Sequence, residues 1–162
     1  MARQAGRAVV ITGASSGIGR ATAHAFAKER ANLVLAARGE AALGEAAREC
    51  RRIGARAVAV PTDMRDPEAV RLLAVMAAET FGGIDVWVNN AGGGVVGRYW
   101  EAPLADHRAT VETDLLGRLE SSYVALVNAR EESCGGDATL ENLHDEIAGV
   151  YLKAIYQLKR LR

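Results

Sequence analysis

Arg7-Ala8-Val9-Val10-Ile11-Thr12-Gly13-Ala14-Ser15-Ser16-Gly17-Ile18-Gly19-Arg20 is the stretch that decides the fold. An apolar run enters a turn of the form Thr-Gly-x-x-x-Gly-x-Gly. An amphipathic segment then runs on to Arg30. Strand, glycine-rich turn and helix in that order are the context that makes a glycine pattern a nucleotide site. Residues without a Cβ let backbone N–H groups come close to a pyrophosphate. The helix that follows directs the positive end of its dipole at the same point.

Outward from this stretch, the chain to residue 90 alternates short apolar runs with helical patterns. Strands are expected near 7–12, 32–37, 56–60 and 84–89, and helices near 17–30, 40–53 and 67–81. Asp66-Pro67-Glu68 is a helix start, with Asp as the cap and Pro at the first helical position. Gly54 and Gly82-Gly83 stand where helices should stop. Apolar strands alternating with helices predict a parallel sheet covered on both faces. The fold class is α/β: a Rossmann-type, doubly wound sheet of about four strands in the order 3-2-1-4.

A fourth helix is expected from about Leu104 to Arg130. Residues 133–137, around Cys134-Gly135-Gly136-Asp137, form a break, and an amphipathic helix is expected over 138–162. Its apolar positions from Leu140 through Ile147 and Ile155 to Leu161 recur in steps of three and four. The expected organisation is a dinucleotide-binding domain over 1–132, a linker over 133–137, and the C-terminal helix packed on that same domain. Basic residues are almost all Arg before the break and evenly Lys and Arg after it.

The bulk composition narrows the function classes. The chain has 162 residues, 49% of them apolar, enough for one domain with a core. Its net charge is zero, which gives no footprint for nucleic acid. No apolar stretch is long enough to span a bilayer, and the N-terminus has no signal-peptide core. Two isolated cysteines, Cys50 and Cys134, favour free thiols and a cytoplasmic setting over a disulfide framework. His24, His107 and His144 lack ligand-like spacing, so no metal site is expected. The basic end of the last helix, Lys153 to Arg162, reads as cations favouring a helix C-terminus.

A second motif, Asn89-Asn90-Ala91-Gly92, closes the fourth strand. With the glycine turn it resembles the short-chain dehydrogenase/reductase family, over about residues 5–125. The resemblance implies hydride transfer between a nicotinamide cofactor and a carbonyl or alcohol. It implies a cofactor cradle of Gly13, Ser15, Ser16, Gly17, Ile18 and Gly19. Asp63 would accept from the adenine amino group, with Met64 lining the adenine slot, although a helix-start Asp is the plainer reading. Asn90, Ala91 and Gly92 would lie near the cofactor, and Asn89 would be scaffold. Arg38 follows the second strand, where an Arg accommodates the 2′-phosphate of NADP and an acidic residue accepts from the ribose of NAD. NADP is favoured on that rule, and Glu40 keeps NAD open.

The family's catalytic pattern is where this chain departs. Asp114 stands at the family's usual Asn, which kinks a helix and supports a proton relay. An ionised Asp accepts but cannot donate. The family's Tyr-x-x-x-Lys is absent: four residues after Tyr99, Tyr123, Tyr151 and Tyr156 stand Pro103, Val127, Ile155 and Arg160. No strand Ser precedes such a pair. The expectation is a shortened cofactor-binding part of such an enzyme with impaired chemistry. One alternative is a displaced site using Tyr156 and Lys159. The other is a non-catalytic interaction or homo-oligomerisation module using an exposed sheet edge and the tail helix.

Overall fold

A computed structural model gives the architecture and describes residues 3–125 and Lys153. The elements run β1 (Ala8–Thr12), α1 (Gly17–Lys28), β2 (Asn32–Ala37), α2 (Glu40–Ile53), β3 (Arg56–Pro61), α3 (Pro67–Phe81), β4 (Val86–Val88) and α4 (Leu104–Val111). The four strands form one parallel sheet in the order β3-β2-β1-β4, as the alternation predicts. The expected linker, the last helix, Cys134, His144 and the Tyr156/Lys159 pair lie outside the described residues, apart from the exposed, helical Lys153.

Side-chain alternation sorts the apolar residues onto two faces. Val9 and Ile11 of β1 and Leu33 and Leu35 of β2 meet Ala23 and Ala27 of α1 and Leu43, Ala46 and Cys50 of α2. Val10 and Val34 point the other way and meet Leu73, Ala74 and Ala77 of α3. Every residue of β1 is buried, which explains why its sequence shows no polar alternation. Full burial of a side chain such as Leu33, Leu35 or Leu73 is worth about 1.5–3 kcal/mol. Cys50 is one of these packing residues, and burial pushes its thiol pKa up.

Element ends differ from the sequence expectation where tertiary hydrogen bonds intervene. Helix α2 runs over 40–53 and α3 over 67–81, as expected; the Asp66 carboxylate caps α3 by accepting from the Glu68 N–H at 3.0 Å. Helix α1 stops at Lys28 rather than near residue 30. There the Ala31 N–H bonds to the Phe26 carbonyl and the Arg30 N–H to the Ala27 carbonyl, with Arg30 at φ +58°. This Schellman turn normally takes Gly at the left-handed position, so its Arg gave no stop signal. Strand β4 covers 86–88 instead of 84–89: at its start the Ala8 N–H turns to the Asp85 carboxylate, and past its end the Asn90 N–H turns to the Thr12 hydroxyl. The fourth helix is not one regular run: it widens into a π-helical segment at Glu112–Gly117, and helical backbone resumes over 118–125.

Candidate active site

Each parallel strand ends on the same side of the sheet, and the loops leaving those ends surround a cleft of about 1170 Å³. Gly13, Ser15, Ser16, Gly17 and Ile18 follow β1; Arg38 follows β2; Asp63 and Met64 follow β3; Asn90, Ala91 and Gly92 follow β4. The cleft therefore collects every residue named from sequence as cofactor-binding except Gly19. It sits where the strand order reverses between β1 and β4, the switch point at which open α/β sheets take ligands. The sequence reading missed Gly93 to Val96, which extend the rim, and Asp106, Thr110 and Thr113 of the α4 region, which form a wall.

Close backbone approach holds the floor together. A Cβ on Gly19 would lie 2.2 Å from the Gly13 carbonyl oxygen and 2.5 Å from Asn90 Nδ2. Gly19 is thus a buried contact between helix and turn, not part of the cleft surface. A Cβ on Gly13 would lie 2.8 Å from Ala91 Cα, so the Asn-Asn-Ala-Gly turn packs directly beneath the glycine turn. Gly17 is different: its φ is +52° and nothing stands within 4 Å of its Cβ direction. The open space there faces the start of α1, whose first N–H groups have no intrahelical partner.

Thr12 is the fastener, and sequence reading saw only the first letter of a motif. Its buried hydroxyl donates to the Val88 carbonyl at 3.2 Å. It accepts from the N–H groups of Asn90 at 3.0 Å and Ala91 at 2.9 Å. Asn90 Nδ2 returns a bond to the Thr12 carbonyl at 3.0 Å. Asn89 faces away: its Oδ1 accepts from Trp87 Nε1 and the Ser121 hydroxyl, and its Nδ2 donates to Ser122. That side chain ties β4 to the helical stretch over 118–125.

Asp114 lies in the π-helical segment outside the cleft lining, where its Oδ1 accepts from the Gly93 N–H at 3.0 Å. The acceptor role needs no proton, so Asp serves there as an Asn oxygen would. Gly117, one turn on, packs so closely on Met64 that a Cβ would lie 2.4 Å from the Met64 carbonyl.

Charge is distributed unevenly around the rim. Arg38 is exposed on the cleft and makes no side-chain hydrogen bond or ion pair among the described residues. Asp63 is engaged: Arg65 Nε and Nη2 grip both its oxygens, and the Arg65 N–H donates to Oδ1 at 3.0 Å. The Arg65 guanidinium holds the Asp63 carboxyl below the usual range, with a smaller contribution from Arg38. Three Arg65 N–H donors occupy most of the roughly four acceptor sites of the carboxylate and leave about one for another donor. Behind the glycine turn, Arg20 grips Glu49 of α2 through Nε at 2.9 Å and Nη2 at 2.7 Å, and its Nη1 reaches the Ser15 carbonyl at 3.4 Å. His24 Nε2 stands 2.9 Å from Glu49. Toward an ionised carboxylate that nitrogen must donate.

The residues present fit a dinucleotide. The cleft is somewhat larger than the ~300–1,000 Å³ common for small-molecule sites. Its floor offers N–H groups at a helix start and a glycine whose missing side chain leaves open space, and its rim carries Arg38, which has no ion pair among the described residues.

The profile of the short chain dehydrogenase family matches residues 7–135, and the chain belongs to that family. The match runs ten residues past the expected limit near residue 125. A ketoacyl reductase, HetN, of Nostoc sp. is 30% identical over 155 residues, covering 96% of this chain and 54% of its own length. A 1-deoxy-11-beta-hydroxypentalenate dehydrogenase of Streptomyces arenae is 46% identical over 110 residues, 67% of this chain and 39% of its own length. A short-chain type dehydrogenase/reductase from Mycobacterium marinum superposes with a TM-score of 0.76 at 30% identity, over 81% of this chain and 53% of the other. A short chain dehydrogenase from Burkholderia cenocepacia in complex with NADP gives a TM-score of 0.73 at 31% identity, over 78% and 52%. The chain thus spans about half the length, or less, of the relatives it matches. Among the described residues no helix is long and apolar enough to cross a membrane.

Proposed function

We propose that this chain binds a nicotinamide dinucleotide in the cleft at the strand ends and prefers NADP(H) to NAD(H). The observation that carries the reading is the Arg38 guanidinium, unpaired among the described residues, on the same cleft as the glycine turn. The α1 start and the Ser15 and Ser16 hydroxyls would hold the pyrophosphate side. Arg38 would meet the 2′-phosphate that distinguishes NADP from NAD. Asn90, Ala91 and Gly92 would border the nicotinamide ribose, and the exposed Ile18 would supply an apolar surface. The relative from Burkholderia cenocepacia was solved with NADP, which supports the choice of ligand.

When bound, such a cofactor supplies hydride chemistry at a carbonyl or alcohol. The residues of this chain would bind and orient it. The 162 residues hold no Tyr-x-x-x-Lys, so on this reading the chain does not by itself furnish the family's acid–base pair.

Calorimetric titration of the chain with NADPH and NADH tests the reading. A charged hydrogen bond to phosphate should make NADPH bind about ten-fold tighter or more, and Arg38→Ala should erase most of that margin. Equal affinities would refute the NADP preference, and binding of neither would refute the cofactor reading itself.

A further inference from the structure

Asp63 stands within electrostatic reach of two arginines, Arg38 and Arg65, and forms an ion pair with Arg65. Asp63 and Arg38 both line the cleft, one after β3 and the other after β2. Those strands are adjacent in the sheet, with Ala37 in register with Pro61. An aspartate and an arginine on neighbouring strand ends could form an ion pair. Here Arg38 only attracts Asp63 from a distance, and no ion pair or hydrogen bond joins the two among the described residues. Arg65, from the same turn as Asp63, takes both carboxylate oxygens with a two-pronged grip and adds its own N–H. Arg65 is not part of the cleft lining, and its side chain and that of Asp63 are both partly exposed.

We propose that Arg65 is a specificity-determining positioning residue, which by occupying Asp63 leaves Arg38 unpaired for the 2′-phosphate of NADP(H). The inference rests on the NADP(H) reading above. Its physical basis is competition for one carboxylate. Asp63 without Arg65 would be an unpaired negative charge on the cleft wall. It would draw the Arg38 guanidinium toward itself and repel an incoming phosphate dianion. The fork geometry of Arg matters, because two parallel N–H bonds satisfy both oxygens where a Lys ammonium would act as one point charge. The turn supports the grip: Asp63 and Arg65 are two residues apart, and the Asp66 N–H bonds to the Asp63 carbonyl at 3.1 Å.

The NADPH-to-NADH affinity ratio tests this in four forms of the full chain: wild type, Arg65→Ala, Asp63→Asn, and the double variant. Circular dichroism would confirm that each is folded. Arg65→Ala should lower NADPH affinity about three- to ten-fold, the scale of a partly exposed ion pair, and leave NADH within about two-fold. Asp63→Asn placed on top of Arg65→Ala should restore NADPH binding, because no carboxylate is left to capture Arg38. A merely structural role for Arg65 predicts the opposite, since Asn cannot repair a lost ion pair. An unchanged ratio in Arg65→Ala, or a double variant no better than the single one, overturns the proposal while leaving NADP(H) binding intact. A wild-type chain that binds neither nucleotide, or prefers NADH, overturns the parent reading and this one with it. If Arg65→Ala does not fold, Arg65→Lys replaces it, with a smaller loss of NADPH affinity expected and an unchanged ratio counting against the proposal.

Discussion

Gly19 and Gly17 stand two residues apart in one motif and do opposite jobs. Gly19 lets α1 press on the Gly13 carbonyl; the contact is backbone to backbone, so neither side can swing away. Gly17 faces open space and uses only the freedom of a positive φ. Gly19→Ala should therefore cost about 1–3 kcal/mol by overpacking and abolish NADPH binding. Gly17→Ala should cost only the left-handed strain, about 1–2 kcal/mol. Urea unfolding of both variants checks the order; Gly17→Ala proving the worse would refute this division. The glycines were legible because their spacing is local. Thr12 was not, since its role depends on Val88, Asn90 and Ala91 arriving from far along the chain.

Helices α1 and α2 lie side by side, joined on their outer surface by Arg20, His24 and Glu49. The Arg20 guanidinium, helped by His24 and opposed by partial desolvation, holds the Glu49 pKa at about 2, below its ordinary 4.5. A carboxylate with a depressed folded pKa stabilises the fold fully above its unfolded value, and the gain disappears as pH falls toward the folded value. The stability margin of wild type over Glu49→Gln should thus be constant above pH 4.5 and shrink between 4.5 and about 2. Denaturant unfolding at neutral pH and in steps down to about pH 3 measures it; a margin that stays constant throughout would contradict the assignment. Helix positions were readable from Asp66-Pro67 and Gly54, whose signals are local. The Arg20–Glu49 link was not, because the two are 29 residues apart and meet only through the packing of two helices. The widening at Glu112–Gly117 was signalled only by the family resemblance, whose Asn at position 114 kinks a helix; the helical pattern by itself does not reveal that the Asp114 oxygen bonds to Gly93.

At the scale of the whole molecule, helices cover both sheet faces and the four described strands run one way, so the loops after β1, β2, β3 and β4 all open on the cleft side. That arrangement was legible from the alternation of elements alone. The bond from Thr12 to Ala91 joins groups 79 residues apart, and the Ala8 N–H to Asp85 spans 77. Parallel pairing offers no hairpin to start from, and contacts of such separation slow folding more than they weaken the product. Each doubling of a closed loop adds only about 0.6 kcal/mol. In refolding from denaturant, far-ultraviolet ellipticity should therefore recover before NADPH fluorescence enhancement does, and simultaneous recovery would count against this order. The floor of the cleft is made of residues from the two ends of that loop, Gly13 from one and Asn90 and Ala91 from the other. A nascent chain emerging residue by residue has its glycine turn early and no seat for a ligand until the fourth strand has docked, so a ligand held in the cleft would report that this strand is in place.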